Sequence, residues 1–192
     1  MIKMDKICSY CLTEPNSGSD SAALQTTAEK TNDGFKLNGS KAFISGGNFS
    51  DFYLSMVRTG GIGPKGISAV LVKQGTKGLS FGKPEQKMGW KSQPTAEVIF
   101  ADCSIPAKNL LGKEDEGFIY AMQGLDGGRL NIAAAALGGA QTSLNKAKQY
   151  MKERPAFGKK LRDFQGLQFK IADMEIAINA SRTFLREAAW KL

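Results

Sequence analysis

Leu12-Thr-Glu-Pro-Asn-Ser-Gly-Ser-Asp20 follows directly on an apolar, β-favouring run, Ile7-Cys-Ser-Tyr-Cys11, so a strand gives way here to a dense set of turn formers. A hydroxyl at Thr13 and several backbone N–H groups converge at that transition. Amides without a strand partner are donors for an anionic or hydrogen-bond-accepting ligand. The same residues also fit an ordinary turn between strands. Outward from this point the chain repeats the pattern. Ala23 to Thr31 alternates loosely, Thr31-Asn-Asp-Gly34 is a hairpin signal, and Phe35 to Ser45 is its partner strand. Phe52 to Thr59 and Ile67 to Lys73 form a second hairpin around a glycine-rich connection, and Leu79 to Phe81 and Ala96 to Ala101 add two strands. Seven short strands at near-regular spacing predict an antiparallel barrel or sandwich.

After Ile105-Pro106 the apolar period changes to that of a helix. Leu130, Ala133, Ala134, Leu137, Leu144, Ala147 and Met151 mark one stripe; Leu167, Ile171, Met174, Ile178 and Leu185 mark another. A single helix from Gly117 to Met151 would be about 50 Å long at the standard rise per residue, long for a small domain. A break at Asp126-Gly-Gly128, with Asp126 capping the next helix, is therefore expected. Pro155 and Gly158 end that helix, and Asp163 is the expected cap of the one that follows. Two helices with wide apolar stripes look like half of a four-helix bundle. The pattern is still helical at Trp190-Lys-Leu192, so a fragment is expected, its helical part completed by another chain or poorly ordered alone.

The 192 residues carry 26 basic and 18 acidic side chains, and the net +8 is spread along the chain as a solvated surface rather than gathered in a block. Histidine is absent, which excludes imidazole-based triads and metal sites. Cys8 and Cys11 form a C-x-x-C pair. Without a second pair or a histidine they cannot complete a four-ligand zinc site, and their strand context does not suit a redox helix. Structural thiols in a reducing compartment are the expectation. Gly61-Ile-Gly-Pro-Lys-Gly66 matches G-x-G-x-x-G formally, but a strand follows it where a dinucleotide site needs a helix. Its Lys65 is left as a loop-tip cation available to a phosphate. No run approaches a membrane span, and Met1-Ile-Lys-Met-Asp-Lys6 lacks the features of a signal or transit peptide.

Seven segments carry a family resemblance: Tyr10 to Asp20, Asn38-Gly-Ser-Lys-Ala-Phe-Ile-Ser-Gly-Gly47, Met88-Gly-Trp-Lys-Ser-Gln-Pro-Thr95, Asp102-Cys-Ser-Ile-Pro106, Asp126-Gly-Gly-Arg129, Glu153-Arg-Pro-Ala-Phe-Gly158 and Gln165. In this order they resemble the acyl-CoA dehydrogenase family over essentially the whole chain. The Gly-Trp-x-Ser-Gln-Pro-Thr and Gly-Gly-Arg segments point to a branch handling short branched acyl groups. The resemblance implies an α+β protein: residues 1–112 as an antiparallel β-barrel or sandwich that binds flavin, and 113–192 as the first helices of a four-helix bundle. It implies FAD as cofactor, and α,β-dehydrogenation of an acyl-CoA, in which a carboxylate takes the α-proton and hydride passes to the flavin.

Residue by residue, the resemblance places Thr13 and the neighbouring backbone of Tyr10, Cys11, Leu12, Gly18 and Ser19 on the pyrimidine side of the flavin. Phe43 would pack on the ring, with Ile44 beside it, and Ser45 would donate near N5. Many relatives carry Trp and Thr in place of Phe43 and Ser45. Arg154, Phe157 and Gln165 would reach the FAD of a neighbouring subunit, which implies a homo-oligomer, a tetramer. Ser19, Asp126, Gly127, Gly128 and Arg129 would hold the CoA moiety, together with Lys65. From the residues alone, Asp126 and Arg129 also fit a helix cap and its first-turn partner. The family further implies an electron-transferring flavoprotein as acceptor and a place in branched-chain amino acid catabolism in the mitochondrial matrix. Its catalytic glutamate is expected beyond Leu192, so no catalytic base is assigned and the polypeptide alone is not expected to turn over. A non-catalytic binding module of the same family and a basic, nucleic-acid-binding β-barrel are the competing readings. No metal, nucleic-acid partner or membrane span is expected.

Overall fold

The computed structural model describes residue 3 and residues 5–192; the reading of the first six residues therefore falls partly outside the described residues. Two compact units divide the chain, residues 1–122 and 123–192.

The first unit is built on a sheet of β1 (Cys8–Cys11), β2 (Thr27–Thr31), β3 (Gly34–Ser45), β4 (Phe52–Arg58), β5 (Ile67–Lys73), β6 (Leu79–Phe81), β7 (Thr95–Pro106) and β8 (Leu110–Leu111). Its order among the described residues is β6-β7-β3-β2-β4-β5-β8, with β1 paired to β4. Of the expected antiparallel barrel or sandwich, the sandwich-like form is the one found, with the sheet not closed into a barrel; its strand directions are mixed, since β1 runs parallel to β4, with Cys8 opposite Phe52 and Cys11 opposite Ser55. Apolar alternation records which face a residue takes and carries no information on strand direction. The β2–β3 hairpin, lying between β1 and β4 in the chain, supplies the intervening connection that a parallel pair needs, and β2 also meets β4 in parallel at Thr27 opposite Arg58.

That hairpin closes through Asn32-Asp33, with Thr31 opposite Gly34. The strand read as starting at Ala23 starts at Thr27, because Ser21–Ala23 winds into a 3-10 turn. The chain after Gly61-Ile-Gly-Pro-Lys-Gly66 is β5, a strand. One apolar layer, including Cys11, Phe35, Leu37, Ile44, Tyr53, Val57, Val70, Val98 and Phe100, forms the core.

The pairing of β3 with β7 runs Lys41 to Val98 and then Ile44 to Ala96. Three steps on β3 therefore face two on β7, a bulge with one extra residue. Phe43 lies in it with φ of 57°, and it is 68% exposed while Ile44 is buried.

In the second unit α1 (Gly117–Glu153), which begins within the first unit, leads to a short hairpin, β9 (Pro155–Ala156) and β10 (Lys159–Lys160), and then α2 (Gln165–Lys191). The expected break at Asp126-Gly-Gly128 does not occur: α1 is continuous over 37 residues. Two interior glycines cost a helix about 1 kcal/mol each relative to Ala. Against that, Asp126 and Arg129 form an (i, i+3) ion pair at 2.7 Å, and Leu130, Leu137 and Leu144 turn inward on one face. Asp126 is thus not a cap. Nor does Asp163 cap α2: its carboxylate accepts from the Lys160 N–H at 3.0 Å and closes the 3-10 turn Leu161–Asp163, leaving Phe164 at the helix N-cap.

α1 and α2 lie antiparallel. Arg182 donates to Gln141 Oε1 at 2.6 Å, and Lys148 pairs with Glu175 at 3.4 Å. Leu144 and Ile178 are buried within this pair. Of the expected stripes, Ala134, Ala147 and Met174 are exposed, and Ile132, Ile176 and Phe184 also face outward. No helix among the described residues is long and apolar enough to cross a membrane.

Candidate functional site

In the first unit the site grows from the end of β1. The chain leaves the sheet at Leu12 and folds back at Pro15-Asn16, where Glu14 and Ser17 exchange both backbone hydrogen bonds at 2.9 and 3.1 Å. Ser17 Oγ donates to Asp20 O at 2.7 Å, which shapes the exposed turn carrying Gly18 and Ser19. The Thr13 carbonyl accepts the Ala42 N–H at 2.8 Å. That bond ties the loop to β3 one residue before Phe43, so Thr13 and the bulge between Lys41 and Ile44 belong to one neighbourhood. A second tie runs from Ser9 Oγ to Ser45 O at 2.6 Å, with Ser50 Oγ 2.9 Å from the same hydroxyl. Gly46, at φ of 80°, is required there, because a Cβ would strike both serine hydroxyls.

Around these ties the side chains sort by what they can offer a ligand. Thr13 is half-buried, Ser45 is exposed, and neither hydroxyl has a hydrogen-bond partner among the described residues. Cys11, Leu12 and Ile44 are buried, so only their backbone atoms can take part in binding. Burial pushes the Tyr10 phenol up to about 12, and its hydroxyl donates to Ala121 O at 3.0 Å. Phe43 combines high exposure with a left-handed backbone, a strained state for a bulky residue that concentrates at functional positions.

Two buried charges beneath this surface escaped the sequence reading. Lys41 Nζ, fully enclosed, donates to Glu14 Oε1 at 2.8 Å and to Leu12 O at 3.2 Å. Glu14 also accepts from the backbone N–H groups of Gln25 at 2.6 Å and Thr26 at 3.0 Å. Burial works against both charges and pulls Lys41 below the usual lysine range. It would raise Glu14 as well, but the Lys41 charge and the hydrogen bonds from Lys41, Thr26 and Gln25 outweigh it and hold the carboxyl below its ordinary value. A signal was present: Phe35, Leu37, Gly39 and Lys41 share one phase of β3, so a lysine stands on the apolar face.

Arg58 likewise went unread. Its guanidinium donates to Ala22 O at 2.7 Å, Leu24 O at 3.0 Å and Gly63 O at 3.1 Å, and also to Gly61 O. It thus braces the connection that carries the exposed Lys65 against the segment following Ser19.

In the second unit Asp126 and Arg129 are paired on α1, with Gly127 and Gly128 between them and no atom within 4 Å of a Cβ built on either. Phe157 and Gly158, at φ of 51° and 79°, form the tip of the β9–β10 hairpin. Positive φ at both central positions is the turn that favours Asn-Gly. Phe157 occupies it while 93% exposed, its ring edge-on to Phe164 at 6.4 Å. Lys159 Nζ lies 4.2 Å from the centroid of the Phe164 ring. Arg154 and Gln165 flank this turn at the end of α1 and the start of α2. One exposed aromatic in left-handed backbone, Phe157, with a solvated arginine and an amide nearby in the chain, offers groups suited to a planar, anionic ligand.

The sequence profile described as the acyl-CoA dehydrogenase middle domain matches residues 9–103, and that of the acyl-CoA dehydrogenase C-terminal domain matches residues 115–192. The chain belongs to the acyl-CoA dehydrogenase family. Within this family of flavoprotein oxidoreductases, it is 55% identical over 189 residues to the mitochondrial isobutyryl-CoA dehydrogenase of Bos taurus, covering 98% of this chain and 45% of that one. It is 56% identical over 190 residues to the Dictyostelium discoideum isobutyryl-CoA dehydrogenase, covering 98% and 46%. The solved butyryl-CoA dehydrogenase of Megasphaera elsdenii superposes with a TM-score of 0.94 at 45% identity, covering 97% of this chain and 49% of that one. The chain thus spans about half the length of the acyl-CoA dehydrogenases it matches.

The residues fit the flavin that the family implies. In the first unit the bulge presents an exposed ring, and the Thr13 and Ser45 hydroxyls have no partner among the described residues; in the second unit, taken by itself, an exposed ring stands at Phe157.

Proposed function

We propose that this chain supplies the flavin-facing β-domain and part of the helical bundle of an FAD-dependent acyl-CoA dehydrogenase acting on a short branched acyl-CoA, as the isobutyryl-CoA dehydrogenases do by name. The observation that carries the reading is the 2.8 Å bond from Ala42 N–H to Thr13 O, which brings two free hydroxyls and a strained, exposed ring into one neighbourhood. The proposed boundary between the β-domain and the helices follows Gly112; the two profile matches cover residues 9–103 and 115–192.

Bound FAD supplies the hydride acceptor. The chain's own residues would bind and orient that cofactor. Thr13 Oγ1 and nearby amides would donate to the pyrimidine edge, Ser45 Oγ would donate near N5, and Phe43 would cover the ring and keep water from it. Arg154 would pair with pyrophosphate, Phe157 would stack on adenine, and Gln165 would donate to the same cofactor, all in a neighbouring copy within a tetramer. By the family resemblance, Ser19 and Lys65 in the first unit would offer contacts to a CoA moiety, as would the Asp126–Arg129 segment in the second, each taken by itself. None of the carboxylates present is assigned as the base that takes the α-proton. An electron-transferring flavoprotein is the proposed acceptor, and the mitochondrial relatives support a matrix location.

Purified material tests this. The 192-residue chain is expected to retain FAD through gel filtration and not to bleach with isobutyryl-CoA. Colourless protein after reconstitution would refute the cofactor reading, and rapid bleaching would refute the absence of a base.

A further inference from the structure

Two charges with almost no exposure sit under the proposed flavin surface. The Lys41 side chain is 0% exposed and that of Glu14 6%. A buried ion pair is a poor way to gain stability, since apolar residues of similar volume often serve as well. Its best-attested use is to fix geometry, and the partners here show which geometry. Glu14 grips the backbone of Gln25 and Thr26, where the loop rejoins the sheet. Lys41 grips Leu12 O, where the loop departs. Lys41 is also the last paired residue of β3 before the bulge, and its neighbour Ala42 donates to Thr13. One salt bridge therefore holds both ends of the 12–26 loop and the edge of the bulge that presents Phe43 and Ser45.

We propose that Glu14 and Lys41 are positioning residues, a buried latch that sets Thr13 relative to Ser45 and Phe43 so that the two edges of a flavin are met at once. This rests on the flavin reading above. Without the latch the loop and the bulge remain on the same strands but lose their fixed spacing, and displacements of about 1 Å at a preorganised site cost on the order of 100-fold in function.

The decisive variant is the double replacement Glu14→Gln with Lys41→Met, which removes both charges while keeping the shape, so that no lone buried charge unfolds the chain. Amide hydrogen exchange, FAD affinity and the visible spectrum of bound flavin are read on the full 192-residue chain. The amides of Gln25, Thr26 and Ala42 are expected to exchange at least about tenfold faster, with those of Val70 and Val72 unchanged. FAD is expected to bind about tenfold or more weakly, with a spectrum shifted toward free flavin, and Lys41→Arg alone is expected to recover part of the affinity. Unchanged affinity and spectrum overturn the proposal, as does exchange that rises equally throughout. If the unaltered chain binds no FAD while the local exchange pattern still appears, the latch stands as a loop-positioning device and the flavin reading falls.

Discussion

Replacing Phe43 by Asn separates a ligand-facing ring from a core aromatic. A buried Phe on a core strand costs about 3–5 kcal/mol when truncated. Phe43 is 68% exposed, so about a third of a side chain that can bury roughly 200 Å² is lost from packing, or about 1.5 kcal/mol. Its φ of 57° acts in the opposite sense. Left-handed backbone costs a bulky residue about 1–2 kcal/mol, a strain that Asn tolerates well. The two terms nearly cancel, and the unfolding free energy is expected to change by less than about 1 kcal/mol, read from urea melts at constant m-value. FAD affinity should fall by roughly 5- to 150-fold, the loss of one stacked ring at about 1–3 kcal/mol, read by flavin fluorescence titration. A stability loss above 3 kcal/mol would show that Phe43 is a core residue, and unaltered FAD affinity would remove it from the site.

Acid should weaken the first unit through Glu14. Because the folded carboxyl lies below its ordinary 4.5, the unfolded chain binds more protons under that pH. Stability is then lost as pH falls through the folded value, and urea midpoints between pH 6 and 3 should fall more steeply for the unaltered chain than for the Glu14→Gln, Lys41→Met double variant. Burial pushes the Cys11 thiol up to about 12 and Cys103 up to about 11. In native protein at pH 8, iodoacetamide should therefore modify Cys8 before either, and mass spectrometry showing Cys11 or Cys103 labelled first would contradict their burial. Gly127→Ala and Gly128→Ala meet no atom within 4 Å, so each should stabilise α1 by about 0.5–1 kcal/mol, and a lower Tm would mean that this stretch is not simple helix.

Residue type and spacing alone determined much of this protein. The strands Ile67–Lys73 and Leu79–Phe81, the Asn32-Asp33 hairpin, the helical second half and the motif set that marks the family were all legible, because apolar period and turn chemistry are local properties. Four things were decided only in three dimensions. The direction of β1 depends on which strand it meets, and α1 runs through the expected break at Gly127-Gly128 because its inward leucines and an ion pair outweigh a local penalty. The exposure of Phe43 depends on a bulge, and a bulge exists only as a mismatch between two paired strands. The Glu14–Lys41 pair joins positions far apart in the chain, and a charge reveals its partner only when folding has removed the water around it.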